Sequence, residues 1–489
     1  MRLHALLRFL DPLPDLSSIP DCPVFGIRED SRLIRPGELF VARPGTRCDG
    51  SQFARDAQQR GAVAIVTQTP IPQVDLPQVL VPNAAQAASV LAHAFYRNPS
   101  HLLRVVGVTG TNGKTTVTFL IRHILQSVGQ KCGLIGTVEV DDGVRRIESN
   151  MTTPGAVELA ELLATMKQNH CRACAIETSS HALDQYRVWG IRYSAAGFTN
   201  LTGDHLDYHK TFENYASAKA RLFEQLPPDA VAAVNVDDPS HLRMIRDCQA
   251  RVVTFGIKQQ ADYRAVDPMV TMHGTTFILH APDGKTEISI KLIGRHNIEN
   301  ALCAIAICCE QFGLSIHQVA TALRRAIGAP GRLQPVSLGQ PFAVLVDYAH
   351  TDDALQNVLS ALKPLRKNKL RVVFGCGGDR DRTKRPRMAR VCEQLADVIY
   401  VTSDNPRTEN PQTILSEIVS GFSIGNTKPI FVQPDRRRAI EQAISDAVSG
   451  DIVLIAGKGH ENYQIIGSTK HPFDDVEEAT RALMLSRRI

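Results

Sequence analysis

Short apolar runs rich in β-branched residues recur along the chain, each ending in polar or glycine-rich residues, and stretches of helical periodicity alternate with them. A continuous apolar run bounded by turn residues reads as a strand buried on both faces. Its alternation with helices reads as a mostly parallel sheet with covering helices. Residues 1–98 hold "GELFVARPG", "AVAIVTQ" and "PQVLVP" as strands and "AAQAASVLAHAFYRNPS" as a helix, closed by a linker at Asn98-Pro99-Ser100. Residues 99–329 hold "VVGVTG", "ACAIETSS", "SAAGFTNLTGDH" and "AVAAVNVDD" as strand ends, then a hairpin about Asp283-Gly284 and the helix "NIENALCAIAICCEQFG". After the break Gly328-Ala329-Pro330-Gly331, residues 330–489 repeat the strand-to-loop theme five times, from "FAVLVDYAH" to "DIVLIAGKGHE". The fold class read from this is α/β in three domains: a small mixed α/β N-terminal domain, a central parallel-sheet domain and a C-terminal Rossmann-like α/β domain. The length of 489 residues agrees with about three domains of roughly 150 residues each.

The apolar run at 102–108 leads into "TGTNGKTT" and a helix expected over about 115–126. The usual phosphate-binding loop places a glycine five positions before the glycine of Gly-Lys-Thr; here Val108 stands there, with Gly107 and Gly110 nearby. The local physics still suits a phosphate. Gly110 and Gly113 permit backbone angles that let successive N–H groups converge, Lys114 supplies a point charge, and Thr115 offers a hydroxyl suited to Mg²⁺. The helix then turns its positive end to the anion. An ordinary strand-to-helix turn has no need of Lys-Thr-Thr at the helix start.

Other strand ends add carboxylates and imidazoles. Glu177 precedes Thr178-Ser179-Ser180-His181, and Asp204-His205-Leu206-Asp207 ends the next run. With Thr115, these groups could gather Mg²⁺ around a triphosphate. Singly, Ser179 or Asp204 could as well cap a helix, and His205 could be a satisfied surface histidine. Their joint position behind a phosphate loop favours a site. The five strand ends of the last segment carry Asp, Arg, Lys, His or Glu, which predicts a second ligand-binding edge, because open α/β sheets bind ligands beyond the carboxyl ends of their strands.

Composition narrows the classes. The chain is 43% hydrophobic and 21% charged, ordinary for a soluble globular protein. A net charge of +5 is small for this length and predicts no nucleic-acid partner. Arg436-Arg437-Arg438 reads as facing solvent or starting a helix. "MRLHALLRFLDPLPDL" is interrupted by Arg8, Asp11 and prolines and lacks a signal-peptide core, and no apolar stretch reaches the roughly 18 residues that span a membrane. Cys171 and Cys174 have CxxC spacing without a second pair to complete a zinc site. The eleven cysteines are therefore expected to be buried and reduced, and the chain cytoplasmic.

"TGTNGKTT", "ETSSHAL", "NLTGDHLDYH", "YASAKARLF", "GRHNIENALCA", "PGRLQPV" and "DYAHTDDAL" occur in the order seen in the Mur ligases, and the chain resembles that family over essentially its whole length. "SDNPRTENP" is similar to the motif of diaminopimelate-adding members; lysine-adding members generally lack the arginine. The resemblance implies an ATP-dependent peptide-bond ligase of peptidoglycan precursor synthesis, joining meso-diaminopimelate to UDP-N-acetylmuramoyl-L-alanyl-D-glutamate through an acyl phosphate. It implies small-molecule substrates as the only partners, and a monomer. In that family the loop is Thr-Gly-Thr-Asn-Gly-Lys-Thr-Thr, so Val108 is no defect.

Carried over by motif, Gly110, Thr111, Asn112, Gly113, Lys114, Thr115 and Thr116 cradle ATP phosphates. Thr115, Glu177, His205 and Lys219 resemble Mg²⁺-site residues, Lys219 as a carbamate formed with CO₂; the catalytic set is Lys114, Glu177, His205 and Lys219. Asn300, Arg332 and Asp347 resemble adenine-, phosphate- and ribose-contacting positions. Ser31, Thr46, Arg47, Cys48, Thr152, Thr153, Ser179, Gln185 and Arg187 fall on positions that meet the UDP-sugar dipeptide. Arg380, Asp404, Asn405, Pro406, Arg407, Gly457 and Glu461 fall on those that meet diaminopimelate, where an arginine pairs bidentately with the far carboxylate. Lys219 could still be a plain lysine on a helix face, and Arg407 a surface ion pair. Asp352 replaces a common proline, and Met151 stands where some relatives have asparagine; no site is assigned there. The competing readings are a lysine-adding ligase, a folylpolyglutamate synthase and an ATP-dependent switch. "DNPR" and "DSRLIRPGELFVA" speak against the first two, and a switch leaves Arg380, Arg407 and Glu461 without a purpose.

Overall fold

The apolar runs fold as strands because each is buried on both faces. In the computed structural model, which describes residues 1–45, 48–72 and 74–486, they assemble in two units. The first holds Met1–Arg264, Ala281–Asp283 and Ala301–Ala322; the second holds Ala265–His280, Gly284–Asn300 and the chain from Leu323 onward.

The first unit contains two sheets. Gly26–Arg28, Glu38–Val41, Ala64–Thr67 and Gln78–Leu80 pair in chain order, all parallel. The predicted helix, Ala84–Phe95, starts at Asn83, whose side chain accepts from Gln86 N. Its alanines share a core with Leu3, Leu6 and Leu7 and with Val157 and Ala160. The short helices Leu3–Leu7 and Ala54–Gln59 went unpredicted. The expected linker is packed rather than free: Pro99 and Ser100 are buried, and Ser100 Oγ accepts from Arg192 N at 3.1 Å.

In the larger sheet, Arg104–Thr109 lies between Ala173–Glu177 and Tyr193–Phe198, all parallel. Cys132–Ile135 continues the sheet on one side, Val231–Asn235 and Arg251–Gly256 on the other. The chain leaves Arg104–Thr109 to one side and later fills the other, so the carboxyl end of this strand is a switch point, where open α/β sheets bind ligands. Register sets Val108 beside Glu177 and Thr109 beside Phe198.

In the second unit, Gly274–Ala281 and Gly284–Ile290 are the arms of the predicted hairpin. Ala343–Asp347, Ile452–Ala456, Leu370–Phe374, Val398–Val401 and Ile430–Val432 pair in that spatial order, all parallel. Helices Asp352–Leu362, Lys384–Leu395 and Pro411–Val419 supply one core, Arg436–Ser445 and Asp475–Ser486 the other. Such a doubly wound sheet puts all five polar strand ends on one edge, as predicted. Two expectations need correction. The arginine cluster does open a helix, but Arg436 is buried against Asp475 at 2.7 Å. Most cysteines are buried and all are unbridged, yet Cys48 is exposed and Cys22 and Cys248 are partly so, because they lie outside the strand and helix cores.

Candidate active site

Gly110 and Gly113 have φ of +149° and +89°, states that favour glycine, and a Cβ on Gly110 would collide with Thr199 Oγ1. The adjacent strand end holds the loop. Thr111 N donates to Asn200 O at 2.9 Å, Asn112 N to Asn200 Oδ1 at 3.0 Å, and Thr199 Oγ1 to Asn112 O at 2.6 Å. Lys114 Nζ folds back over the loop and donates to Gly110 O and Thr111 O at 2.9 and 2.8 Å. The helix starts at Lys114, so Thr115 and Thr116 lie buried in its first turn.

Glu177, buried at the next strand end, accepts from Thr115 Oγ1 at 2.9 Å, Thr137 N at 2.7 Å and Thr137 Oγ1 at 3.0 Å. Thr137 Oγ1 also lies 3.1 Å from Thr152 Oγ1. Thr153 Oγ1 donates to Glu177 O at 2.7 Å and lies 3.1 Å from Ser179 Oγ. Ser179 also caps the helix Ser180–Asp184, accepting from Ala182 N. Arg187 donates to Thr153 O at 2.8 Å and to Gln185 Oε1 at 3.0 Å. Five predicted dipeptide-contacting residues thus form one hydrogen-bonded network with the phosphate loop. Ser31 does not join it; its hydroxyl is bonded to Asp56. Cys48 is exposed. Thr46 and Arg47 lie outside the described residues.

Lys219 sits on the inward face of helix Phe212–Glu224, among Tyr215, Ala216, Ala220 and Phe223. It is 1% exposed, donates to Gly110 O at 2.8 Å and stands 4.6 Å over the Tyr215 ring. Burial, reinforced by Lys114, pushes its amine well below the ordinary lysine range. His205, in the left-handed region at φ +55°, lies edge-on to His181 with ring centroids 4.7 Å apart. Burial lowers the pKa of His181 to about 4; His205, about half exposed and 3.5 Å from Asp204, is lowered by partial desolvation against the pull of that carboxylate. Among the described residues no three His, Cys, Asp or Glu side chains gather as a metal cage. The predicted set combines a hydroxyl, a carboxylate, an imidazole and a lysine.

In the second unit, Asn405 Nδ2 donates to Glu461 Oε2 at 2.9 Å, and Asn405 Oδ1 accepts from Ile465 N at 2.9 Å. Lys458 Nζ donates to Glu461 Oε2 at 3.1 Å and Asn405 Oδ1 at 3.3 Å. Gly457 has φ +121°, and a Cβ there would stand 2.6 Å from Asp404 Oδ2. Burial raises the Asp404 carboxyl, but Lys458 and Arg436 outweigh it and hold the group below its usual range. Arg407 has φ +52°, strained for a non-glycine residue. Its backbone is clamped by Ile465 O and Gly467 N, and its guanidinium donates to Gly378 O at 2.7 Å. It makes a carbonyl contact, not the alternative surface ion pair. Pro406 precedes it, and Arg380 is exposed.

Asn300 donates to Asn297 Oδ1 at 3.0 Å, and the Arg332 guanidinium lies 4.8 Å over the Tyr348 ring. Both Asp347 oxygens accept backbone N–H groups, from Ala349 at 2.8 Å and Leu333 at 2.7 Å. Asp352 opens a helix and pairs with Arg387 at 2.9 Å, a favourable place for an acid. Two side chains at these sites, Thr137 and Lys458, were not singled out from sequence, although each follows an apolar run in a glycine-bearing turn.

Three family descriptions match: "Mur ligase family, catalytic domain" at residues 23–96, "Mur ligase middle domain" at 108–308 and "Mur ligase, glutamate ligase domain" at 331–459. A protein of Geobacillus thermodenitrificans named UDP-N-acetylmuramoyl-L-alanyl-D-glutamate–2,6-diaminopimelate ligase is 44% identical over 95% of this chain and 96% of its own length. Its namesake from Gloeobacter violaceus is 43% identical over 100% and 99%. A solved structure of a protein with that name is similar at 35% identity and TM-score 0.70, over 95% and 96% of the two chains. A MurF ligase from Thermotoga maritima in complex with ADP is similar in fold at 20% identity and TM-score 0.64, over 95% and 98%.

Proposed function

The chain belongs to the Mur ligase family, and from that premise we propose that it adds meso-2,6-diaminopimelate to UDP-N-acetylmuramoyl-L-alanyl-D-glutamate, converting ATP to ADP and phosphate. Whole-length relatives carry the name of that ligase, and the Asp404–Arg407 turn supplies the residue set that the choice of diaminopimelate needs. The side-chain carboxylate of the D-glutamate attacks the γ-phosphorus of ATP, the bond to the β-phosphate oxygen breaks, and an acyl phosphate forms. An amine of diaminopimelate then attacks the acyl carbon, loses a proton and expels phosphate. Such chemistry depends chiefly on positioning and charge neutralisation.

The N–H groups of Gly110 to Thr116 and the Lys114 ammonium cradle the phosphates. Thr137 orients Glu177 through two bonds. Asn300, Arg332 and Asp347 serve adenine, phosphate and ribose. Ser31, Cys48, Thr152, Thr153, Ser179, Gln185 and Arg187 hold the UDP-sugar dipeptide. Glu177, Thr115, His205 and a carbamate on Lys219 would hold Mg²⁺. The fit is supported by the 2.9 Å approach of the buried Thr115 hydroxyl to Glu177, an oxygen pair of the kind Mg²⁺ takes alongside substrate phosphates. Bound there, Mg²⁺ supplies neutralisation of phosphate charge. The low proton affinity of Lys219 supports carbamate formation: the free amine adds to CO₂ and releases a proton, turning a buried amine into an anionic carbamate.

Division at 98/99 and 329/330 is retained, supported by the bounds of the three family matches. No helix among the described residues is long and apolar enough to cross a membrane. A monomer acting in the cytoplasm, where ATP is available, completes the proposal. The test is phosphate release from ATP. It is expected only when both UDP-sugar dipeptide and diaminopimelate are present; release independent of either would overturn the proposal.

A further inference from the structure

We infer that Lys458 is a positioning residue for the amino-acid substrate: its ammonium fixes Glu461 and the Asn405 amide so that one carboxylate oxygen of Glu461 is left for an ammonium of the incoming diamino acid. This rests on the reading of that edge as the diaminopimelate site.

Lys458 is 0% exposed, at the carboxyl end of strand Ile452–Ala456. A buried ammonium requires partners, and this one has two. Glu461 Oε2 receives both Lys458 Nζ and Asn405 Nδ2. Asn405 cannot flip its amide, because Oδ1 already accepts from Ile465 N and Lys458 Nζ; a flip would set donors against donors. The three side chains therefore lock one another. Glu461 Oε1 has no hydrogen-bond partner among the described residues, and the side chain keeps 18% of its exposure, so this oxygen is open. A substrate ammonium on Oε1 would make a second charge-assisted bond to a carboxylate already held in place. Lys458 Nζ hydrogen-bonds Glu461 and Asn405, both assigned to the amino acid, and lies 5.6 Å from the Tyr463 ring. The Asp404 carboxyl also lies in the field of Lys458, which keeps a second acceptor ionised.

The test is steady-state kinetics of Lys458→Met, Glu461→Gln and the double variant. Lys458→Met should raise KM for diaminopimelate about 10- to 100-fold, the scale of a lost preorganised contact, with KM for ATP within about twofold. The double variant should lose clearly less than the two single losses combined, because Lys458 acts largely through Glu461. Should Lys458→Met fail to fold, Lys458→Gln keeps a donor without the charge and should raise the same KM about tenfold. Unchanged KM for diaminopimelate, or losses that add in the double variant, would overturn the inference and leave the site reading standing. A wild type without diaminopimelate-dependent turnover would overturn the site reading, and the inference with it.

Discussion

Two lysines are buried, Lys219 on a helix of the first unit and Lys458 just beyond a strand end of the second, and they are held in opposite ways. Lys219 rests on a carbonyl oxygen and an aromatic ring, with no carboxylate in ion-pair range among the described residues. Lys458 rests on a carboxylate and an amide oxygen. An amine buried without a counter-charge is driven towards its neutral, nucleophilic form; an ammonium beside Glu461 has its charge balanced in place. On the proposed function, the first site would be completed by CO₂ on Lys219 and by phosphates on the loop. The second has most of its charges matched already and would select by what is left over, Glu461 Oε1 and the guanidinium of Arg407.

Removing the charge of the phosphate loop should hurt most. Lys114→Ala is expected to lower turnover at least about a hundredfold, as loss of an electrostatic stabiliser does, with an unchanged circular dichroism spectrum. Near-normal turnover in a folded variant would take the loop out of the mechanism. Lys219→Ala should lose less, about ten- to a hundredfold, and regain part of it with added formate or acetate, since a diffusible carboxylate would replace the proposed carbamate. A carbon-13 carbamate signal should appear in wild type given labelled bicarbonate and be absent from the variant; its absence from wild type would erase the contrast with Lys458. Smaller still is the effect on the scaffold of the second site. Arg385, fully buried, binds Glu409, whose backbone-bonded carboxylate also holds Asp379 N. This pairing lowers the Glu409 pKa from 4.5 to about 2. Its stabilisation is therefore present above about pH 4.5 and lost as pH falls towards 2. Glu409→Gln should lower Tm by about 2–4 °C at neutral pH, and the gap from wild type should close below pH 4.5. A gap independent of pH would show that Glu409 acts through shape, not charge.

Much of this was legible in sequence because strand ends announce themselves: a β-branched run stops, and Gly, Asp or Lys begins. That signal located Gly110–Thr116, Glu177 and the polar edge of the last segment; Asp404 and Gly457 were picked out only by the family resemblance. Burial of side chains was harder to see. The inward face of Lys219 follows from the spacing of Tyr215, Ala216, Ala220 and Phe223, but a lysine there looks solvent-facing until the face is counted. Local reading gave the helix start at Arg436 but not its burial, since its partner Asp475 lies on a later helix and only tertiary packing joins them. Thr137 and Lys458 failed for a different reason: each is an ordinary residue in a short turn, important only through the carboxylate it touches. The roles carried by resemblance at Ser31 and Asp347 lay beyond local pattern: Ser31 bonds Asp56, and each Asp347 oxygen accepts one backbone N–H.

The central claim is that the second site selects a diamino acid with a far carboxylate. Diaminopimelate differs from lysine by that one group, and Arg407, held at a strained φ and donating to Gly378 O, offers the planar donor to receive it. Lysine would leave this cation without its partner, which costs about a hundredfold or more in specificity. The direct measurement is kcat/KM of the wild type for meso-diaminopimelate and for lysine under saturating ATP and UDP-sugar dipeptide. A preference for diaminopimelate of about a hundredfold or more, collapsing in Arg407→Ala while KM for ATP holds, is the predicted result; equal use of lysine by the wild type would contradict the account.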